Sequence, residues 1–579
     1  MQIGPASPLS MNLHGQKYRG PQESFEEFAN RVSFALSDDP AHYHQFRMRL
    51  MEQSTMPAGR VQAAAGSLRN ITMFNCFVSG DIEDSFVDDG GIMDRAKEAA
   101  TTMRMGGGIG YGFGTLRPEG DLIRKLGSRS SGPIMFMGIF NEVCRATASA
   151  GNRRGAQMGV MPIWHPDIEK FIHMKQNQDK LTGFNISVGI TNEFMDCLKT
   201  GRLFPLQFGG QVYRTVNAEN LWNMLMRSTY DWAEPGVLFM DRINDMNNLH
   251  YCETISATNP CGEQPLPPYG ACLLGSQNLV KYLVKRADGS FDWDMIKFEE
   301  DLICFYRAMD NVIDKSTYPL PQQEVEAKKK RRVGIGITGT ANAIEAVVGN
   351  ACYGEDTFLD HLRYILARQR DVLYSASVER AKQKGSFPAL DKKQYLDGMY
   401  IQTLPEDIRA KIAKHGIRNS HLTSIAPTGT ISLTADNVSS GIEPVFAYEA
   451  DRTILLDDGP MSERCYDYGV KFLGMKGKRS ADVTVDEHLA VLTTAQQYVD
   501  SSVSKTCNLP QDVGWEQFKD VYIRAFEGGA KGCTTYRAGG KREAILTSAD
   551  EPEPQTPQEE AASGQTCYID PVTGRRECE

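Results

Sequence analysis

Apolar residues recur at helical spacing near the start of the chain. In the segment PQESFEEFANRVSFAL, Phe25, Phe28 and Val32 fall on one side of a helix, and glutamates occupy its first turns. Proline suits a helix start because its missing N–H is not needed there. The pattern predicts an amphipathic helix from Pro21, and we expect residues 21–75 to form a helical N-terminal region.

A second helical pattern is much longer. It runs from Phe358 to Lys384, where Gly385 and Pro388 predict its end. Elsewhere in the middle of the chain, short apolar runs alternate with helical stretches, and this order is typical of α/β proteins. No internal repeat is visible, which argues against a solenoid. The expected fold class is therefore α/β.

The two ends of the chain differ from the middle. Residues 1–20 are mainly polar, and we predict that they are mobile. After Leu546 the sequence becomes acidic and rich in proline, which predicts a flexible tail over residues 547–579. The last segment of this tail, TCYIDPVTGRRECE, carries Cys567 and Cys578.

Composition narrows the class of protein. Of the 579 residues, 41% are hydrophobic and 23% are charged, as in globular proteins. No apolar stretch is long enough for a membrane-spanning helix, and the N-terminus lacks the layout of a secretion signal. We therefore expect a cytoplasmic protein without a membrane partner. A net charge of −10 argues against a nucleic-acid partner.

Cysteine usage excludes two further classes. There are 13 cysteines, and no CxxC pair occurs among them. In a reducing compartment this pattern predicts neither a disulfide framework nor a zinc site, so we predict no metal site. Most of the thiols are expected to be buried and inert. The residues around each cysteine must identify those that carry chemistry.

Two glycine motifs have alternative interpretations. GIGITG (334–339) matches the GxGxxG of dinucleotide sites, with Glu355 as a loosely placed acidic partner, but close packing of a strand on a helix explains it equally well. IAPTGTIS (425–432) presents backbone N–H groups and the hydroxyls of Thr428 and Thr430, which are suited to a phosphate. An ordinary loop is the alternative.

The segment ATNPCGEQPLPPYGACLLGSQNL is the most informative. Asn259, Cys261 and Glu263 alternate along it, and in an extended strand their side chains would point the same way. An amide, a thiol and a carboxylate in one pocket indicate a reactive site. Cys272 follows in the same segment. Cys76, in NITMFNCFVSG, lies in another apolar segment that could place a second thiol alongside.

From about Met56 to about Leu546 the chain resembles the large catalytic subunit of ribonucleotide reductases. The resemblance rests on the order of several segments, which are NCFVSGDIEDSF, the glycine-rich stretch 106–114, RRGAQMGVMPIWHPDIE, FNISVGIT, EPGVLFMDRIN, NPCGE, RRVGIGITGTAN, APTGTIS with SGIEP, and DSSVSKTCNLP. It implies a ten-stranded α/β barrel over residues 76–546, with a cysteine on a central finger loop. The GxGxxG match then becomes packing within the barrel.

The resemblance also implies roles for individual residues. Cys261 becomes the thiyl radical site that takes the 3′ hydrogen of a ribonucleotide substrate. Glu263, held by Asn259, becomes the base at the 3′-hydroxyl. Cys76 and Cys272 become the redox pair, which supplies a proton for loss of the 2′-hydroxyl as water and then two electrons. The substrate phosphates would be bound by the loop formed by Pro427, Thr428, Gly429, Thr430 and Ile431.

The source of the radical distinguishes branches of the family. NPCGE, EPGVLFMDRIN and KGCTTYR are similar to the adenosylcobalamin-dependent class II branch. The alternative is a class I-type subunit, which holds no such cofactor and receives its radical from a metal-containing partner subunit through two adjacent tyrosines. This chain has Thr535 and Tyr536 at that place. The resemblance therefore implies adenosylcobalamin as the cofactor.

Regulation and re-reduction are further expectations from the resemblance. Residues 80–160 resemble the effector region, where dNTP or ATP would act through Asp84, Ser85, Arg153, Arg154 and Gln157. Too few residues precede the core for the family's ATP-cone, so dATP is expected to change specificity without switching activity off. Cys567 and Cys578 would pass electrons from a thioredoxin- or glutaredoxin-type reductant. The chain would act as a monomer or a homodimer.

Two other functions remain open on the sequence alone. A NAD-dependent dehydrogenase built on GIGITG would leave the thiols of the NPCGE segment unexplained. A catalytically inactive paralogue would have little reason to keep three active-site thiols and the cysteines of the tail.

Overall fold

The computed structural model describes residues 3–124, 126–147, 156–176, 181–456, 459–537, 539–540, 568–570 and 575–577. Over these ranges the chain is a mixed α/β structure, which confirms the predicted fold class. The helices are α1 (Pro8–Tyr18), α2 (Phe25–Leu36), α3 (Pro40–Glu52), α4 (Gly59–Ala64), α5 (Ile92–Arg104), α6 (Pro133–Ala146), α7 (Ile168–His173), α8 (Asn192–Thr200), α9 (Ala218–Trp232), α10 (Met240–Asp245), α11 (Met295–Lys315), α12 (Pro321–Lys330), α13 (Thr340–Val348), α14 (Asp356–Lys384), α15 (Lys392–Asp397), α16 (Glu406–His415), α17 (Gly429–Leu433), α18 (Val485–Gln496) and α19 (Trp515–Glu527).

The strands are mostly short. They are β1 (Thr55–Pro57), β2 (Cys76–Val78), β3 (Gly108–Gly112), β4 (Leu122–Ile123), β5 (Ser128–Arg129), β6 (Gln157–Pro162), β7 (Phe184–Ile190), β8 (Leu203–Phe208), β9 (Gln211–Asn217), β10 (Gly236–Phe239), β11 (Ala257–Thr258), β12 (Pro265–Leu266), β13 (Ala271–Cys272), β14 (Leu274–Asn278), β15 (Leu283–Lys285), β16 (Phe291–Trp293), β17 (Gly334–Thr338), β18 (Glu449–Leu456), β19 (Gly459–Tyr466), β20 (Thr506–Leu509), β21 (Gly532–Arg537), β22 (Tyr568–Asp570) and β23 (Arg575–Glu577).

Within the described ranges, eight strands form the main sheet in the order β13–β2–β3–β6–β7–β10–β21–β20. The run from β2 to β10 is parallel. At its two ends, β13 pairs antiparallel with β2 and β21 pairs antiparallel with β10. Every residue of β7 is buried, as expected for a parallel strand covered on both faces.

A smaller sheet has the order β1–β14–β17, in which β14 and β17 are parallel. Single parallel bridges extend it from Ile335 to Thr423 and from Ile425 to Val503. Among the described residues, the strand ladders leave this sheet separate from the main one. The predicted barrel of ten strands is therefore not confirmed by the hydrogen-bonded ladders.

The prediction that residues 1–20 are mobile is wrong for the part that is described. Helix α1 begins after Ser7, which caps it, and buries Leu13 and Tyr18. The backbone N–H of Ser7 donates to the carboxylate of Asp436 at 2.7 Å. This contact joins residues 429 positions apart, so the polar composition of the segment could not reveal it.

Helix α2 confirms the amphipathic pattern but begins at Phe25 instead of Pro21. Ser24 caps it by accepting a hydrogen bond from the N–H of Glu27, and the Glu27 carboxylate accepts one from the N–H of Ser24 at 2.8 Å. This reciprocal capping box satisfies two helix N–H groups and so defines the first turn. Together with α3, α4 and β1, it makes residues 21–75 largely helical.

The structure also contains the predicted long helix and explains the GIGITG motif. Helix α14 confirms the long helix, and Gly385, with φ of +81°, ends it. In GIGITG, a side chain at Gly336 would place its Cβ 2.3 Å from the carbonyl oxygen of Ser424. Glycine is thus needed because a neighbouring backbone approaches β17 closely. This geometry supports the packing interpretation of the GxGxxG match over the dinucleotide one.

Most of the predicted tail, including Cys567 and Cys578, lies outside the described residues. The two pieces that are described, β22 and β23, pair antiparallel with Tyr568 opposite Glu577. As for membranes, no helix within the described ranges is long and apolar enough to cross one.

Candidate active site

A cavity of about 110 Å³ lies between β2 and β3 of the main sheet and β14 of the smaller sheet. Its wall contains most of the predicted catalytic and phosphate-binding residues, which are Cys76, Asn259, Cys261, Glu263, Pro427, Thr428, Gly429, Thr430 and Ile431. Segments far apart in the sequence therefore meet at one place. Cys272 is the predicted member that does not line the cavity within the described structure.

The NPCGE segment forms the loop between β11 and β12. The predicted extended strand is wrong here, because the N–H of Gly262 donates to the carbonyl of Asn259 at 3.0 Å and closes a tight turn. The N–H of Gln264 also donates to the side-chain oxygen of Asn259 at 2.9 Å. The turn, and not the alternation of a strand, therefore directs Asn259, Cys261 and Glu263 into the cavity.

Glu263 has the environment of a base. It is only 2% exposed, and burial raises its pKa to about 7, although a hydrogen bond from the side chain of Asn259 acts in the opposite direction. Its Oε2 has no hydrogen-bond partner within the described protein. Its carbonyl accepts bonds from the N–H of Ser502 at 3.0 Å and the hydroxyl of Ser424 at 2.9 Å. The loop is thus held while one carboxylate oxygen remains available.

Cys76 and Cys272 occupy directly opposed positions on antiparallel strands, since β2 pairs with β13 in that register. Directly opposed residues in such pairs have Cα atoms about 4.5–5.5 Å apart, inside the usual range for a disulfide. Both thiols are buried and are not disulfide-bonded. Burial is the main cause that raises the pKa of Cys272 well above its ordinary value, so this thiol is protonated near neutral pH.

The predicted phosphate loop forms the turn into α17. Thr428 has φ of +57° and precedes this helix. Its hydroxyl lies 2.9 Å from that of Thr338 and accepts a bond from the N–H of Gly441 at 2.6 Å. The hydroxyl of Thr428 therefore holds the loop in place. The groups left for an anion are the backbone around Gly429 and the side chain of Thr430.

A second cavity, of about 40 Å³, also reaches Cys261. Its wall comes from β6, β7, β10, β21 and residues 502–506, and includes Ser187, Lys505, Cys533 and Thr534. Among the described residues, Cys261 is the one residue that lines both cavities. Cys261 is therefore the residue at which the two spaces meet.

Two cationic residues near Cys261 were not identified from the sequence. Lys505 is buried, and its ammonium group donates to the carboxylate of Glu443 at 2.8 Å. Arg60, at the start of α4, lines the larger cavity. Each is the single charged residue of an otherwise uncharged segment, which is SSVSKTCNL for Lys505 and TMPAGRVQAAA for Arg60. A lone charge in such a segment is the feature by which the sequence could have indicated them.

The predicted effector residues that are described make contacts with other parts of the chain. The carboxylate of Asp84 accepts a hydrogen bond from Nε of Arg117 at 2.6 Å, and Ser85 lies beside it before α5. Gln157 is buried at the start of β6, where its side-chain oxygen accepts a bond from the hydroxyl of Tyr111 at 2.9 Å. Arg153 and Arg154 lie outside the described residues, and the effector assignment stays a prediction.

Comparisons with known proteins relate most of the chain to one family. The family model "Ribonucleotide reductase, barrel domain" matches residues 74–458 and 475–536. The chain is 33% identical to a vitamin B12-dependent ribonucleoside-diphosphate reductase of Mycobacterium tuberculosis, over 82% of this chain and 69% of the relative. It is 31% identical to one from Thermoplasma acidophilum, over 94% of this chain and 72% of the relative.

A more distant relative comes from a virus. The ribonucleoside-diphosphate reductase large subunit of vaccinia virus is 26% identical over 68% of this chain and 55% of the relative. The matched barrel region contains most of the cavity wall, the NPCGE turn, the opposed cysteines and the loop before α17, whereas Tyr18 and residues 58–60 of the wall precede it. The chain therefore belongs to the ribonucleotide reductase family.

Proposed function

We propose that the chain is an adenosylcobalamin-dependent, class II reductase that converts ribonucleoside 5′-diphosphates to 2′-deoxyribonucleoside diphosphates. The observation that carries the proposal is the meeting of Cys261, Glu263 and Cys76 in one cavity, with Cys272 directly opposite Cys76. The cofactor and the diphosphate level follow the printed names of the Mycobacterium and Thermoplasma relatives.

The first step concerns the 3′ position of the substrate. Cys261, as a thiyl radical, takes the 3′ hydrogen atom, and its S–H bond forms as the substrate becomes a carbon radical. Glu263 accepts the proton of the 3′-hydroxyl, and Asn259 holds its carboxylate by a hydrogen bond. A carboxyl group with a pKa of about 7 can take and return a proton at neutral pH.

The second step removes the 2′-hydroxyl. Cys76 lines the cavity and donates the proton with which this hydroxyl leaves as water. Cys76 and Cys272 then form a disulfide and deliver two electrons and a second proton to the substrate, and Cys261 returns the 3′ hydrogen atom. The balance is one ribonucleotide and two thiols giving one deoxyribonucleotide, one disulfide and one water.

We assign the reactive end of the cofactor to the side of Cys261 that the smaller cavity reaches, although a cavity of about 40 Å³ can hold only part of an adenosyl group. The hydroxyl groups of this cavity, from Ser187 and Thr534 among others, suit the ribose of an adenosyl group, and the cavity ends on Cys261. Bound adenosylcobalamin supplies organic-radical chemistry through its weak cobalt–carbon bond. The protein's own contribution is to let Cys261 face this space while the substrate lies in the other cavity.

The strand β21 supports class II over class I. In place of two adjacent tyrosines, it carries Thr535 followed by Tyr536. The hydroxyl of Thr535 lies 2.8 Å from that of Tyr522, so its position is defined by packing against α19. A radical relay through two adjacent tyrosines on this strand would therefore lack one tyrosine. A radical formed from a cofactor bound to this chain needs no such relay.

Several finer features belong to the same proposal. The bridges from Ile335 to Thr423 and from Ile425 to Val503 extend the smaller sheet, and they support the proposal that the two sheets belong to one barrel. Asp84, Ser85, Arg153, Arg154 and Gln157 would bind and transmit dNTP or ATP effectors. Cys567 and Cys578 would carry electrons from a thioredoxin- or glutaredoxin-type reductant in the cytoplasm. Subunit number stays open between monomer and homodimer.

The test is an assay of the full chain with adenosylcobalamin as the sole radical source and a small dithiol as reductant. We expect deoxyribonucleoside diphosphates as product, measured by chromatography for all four bases. If the chain stays inactive with the cofactor but becomes active with a metal-containing radical subunit, it is a class I enzyme. Faster reduction of triphosphates would overturn only the diphosphate assignment.

A further inference from the structure

The larger cavity has an uneven charge distribution. Among its described wall residues, Arg60 is the only basic residue and Glu263 the only acidic one. An arginine side chain stays charged at any physiological pH, whereas the raised pKa of Glu263 leaves part of that carboxyl neutral near pH 7. The fixed charge in the cavity is therefore positive, which suits an anionic ligand.

The backbone positions Arg60. It follows Gly59 at the start of α4, a helix connected to β1, which pairs with β14 of the cavity wall. The N–H of Ala58 donates to the carbonyl of Leu274 at 3.0 Å and joins this segment to β14. A side chain at Gly59 would place its Cβ 2.7 Å from the ring of Tyr18. The segment is therefore fixed on two sides.

The guanidinium group lies against a glycine turn. A side chain at Gly106 would place its Cβ 2.6 Å from Nη1 and 2.7 Å from Cζ of Arg60. Gly106 has φ of +89°, a conformation that favours glycine, and the missing side chain leaves room for the guanidinium group. Arg60 itself is 9% exposed. The guanidinium group therefore packs against the glycine turn at the cavity wall.

The loop before α17 lines the same cavity but supplies no full charge. Helix α17 has only five residues, and the hydroxyl of Thr428 is used within the protein. A diphosphate that relied on this loop would be bound only through neutral N–H and O–H groups. Guanidinium groups bind phosphate oxygens through two parallel charge-assisted hydrogen bonds, which are stronger than neutral ones.

We propose that Arg60 is a substrate-binding residue that contacts the 5′-phosphate groups and selects phosphorylated nucleosides. This inference rests on the proposed function and names the residue that supplies the charge. Arg60 takes no part in the radical chemistry, so it acts on substrate affinity and hardly on the rate of the chemical step. A purely structural role, limited to packing on Gly106, is the alternative that the experiment must exclude.

The experiment measures binding to the full chain without cofactor, with its thiols reduced. Each of the four ribonucleoside diphosphates and its free nucleoside is titrated against the wild type and the variants Arg60→Gln, Arg60→Lys and Arg69→Gln. Arg69 is an exposed arginine nearby in the sequence that does not line the cavity, which makes it a matched control for loss of one charge.

We expect Arg60→Gln to weaken diphosphate binding about 10- to 100-fold, the effect of a lost charge-assisted pair, and to change nucleoside binding less than about twofold. Arg60→Lys should be intermediate, and it decides the question if the glutamine variant does not fold. Equal weakening of diphosphate and free nucleoside, or unchanged diphosphate binding in both variants, overturns the proposal. If the wild type binds no nucleotide, the proposed function fails instead.

Discussion

The two cavities that meet at Cys261 differ in what the chain places around them. The wall of the larger one contains glycine backbone, two side-chain amides, one carboxyl group, one guanidinium group and the thiol of Cys76, which is paired with Cys272. The smaller one is built from strand side chains, mostly hydroxyl and apolar, with the buried Lys505. One cysteine, Cys261, thus borders two chemically different spaces.

This difference indicates a separation of tasks. Glu263 and Cys76 line the larger cavity, with Cys272 paired behind Cys76, and it is here that a ribonucleotide needs protons and two electrons. Within the described residues, the smaller cavity has neither a carboxyl side chain nor the dithiol, so it suits a radical source. Substitutions on the two sides should therefore affect different measurements, and only changes at Cys261 should affect both.

The largest effect is expected at Cys261. Both Cys261→Ala and Cys261→Ser should give no product above background, even with pre-reduced enzyme, because no weak S–H bond remains to relay the hydrogen atom. Product formation in a single turnover is the measurement. Cys252→Ser is the control, since Cys252 is exposed and lies in neither cavity. A single round of product from Cys261→Ala would disprove the assignment.

The next largest effect separates the dithiol from the radical thiol. In Cys76→Ser or Cys272→Ser, deoxyribonucleotide should fall to background because the disulfide cannot form, while radical formation with cofactor and substrate persists. Freeze-quench electron paramagnetic resonance follows the radical. Cys197→Ser, at a buried cysteine outside the described cavities, should behave as wild type. Loss of the radical signal together with product would contradict separate roles.

Substitution of Glu263 tests whether the larger cavity supplies the general base. Glu263→Gln should lower kcat by about 10²- to 10⁴-fold, the usual contribution of a general base. In the wild type, the base must be a carboxylate, and burial raises its pKa to about 7. Activity should therefore rise with pH, by roughly tenfold between pH 6 and pH 8 as the ionised fraction grows.

The pH profile has its own control. Glu263→Gln has no titrating carboxyl group at this position, so its residual activity should lack the rise between pH 6 and pH 8. A profile in the variant with the same midpoint as the wild type would assign the titration to another group. In Glu263→Gln, the dissociation constant for the diphosphate should stay within about threefold of the wild-type value, because Glu263 acts on the reaction rate and not on substrate binding.

The smallest effect is expected in the smaller cavity. Thr534→Phe should raise the concentration of adenosylcobalamin for half-maximal activity about 10-fold, as overpacking of about 1–3 kcal/mol implies. Diphosphate binding should not change. Thr535→Val is the matched control, since Thr535 is the next residue on β21, contacts Tyr522 and lies outside this cavity. Weaker diphosphate binding in Thr534→Phe would show that the two spaces are not independent.

Prediction from sequence succeeded where a signal is local. The heptad-like apolar face of α2 and the glycine after α14 follow from helix geometry, and both are confirmed. The start of α2 was misplaced because a capping box outweighs an upstream proline. The order of motifs indicated the family, which the barrel-domain match confirms.

Prediction failed where contacts are distant or strands are very short. The N-terminal segment is ordered by Asp436, far away in the chain, so its polar composition was misleading. With only two residues in each of β11 and β12, alternation could not distinguish a strand from the turn that holds Asn259 and Glu263. The sequence did not indicate a role for Arg60, because Gly106, on which its side chain packs, lies in another segment.

The sequence by itself determined which chemical groups the protein carries: the thiols, the Glu263 carboxyl group, the glycine motifs and the order that identifies the family. The tertiary structure alone decided how they meet. It pairs Cys272 with Cys76, places Cys261 in the walls of both cavities and packs Arg60 against Gly106. The physical reason is that local periodicity reports on neighbours within a few residues, whereas pairing between distant strands and close backbone contacts depend on packing of the whole chain.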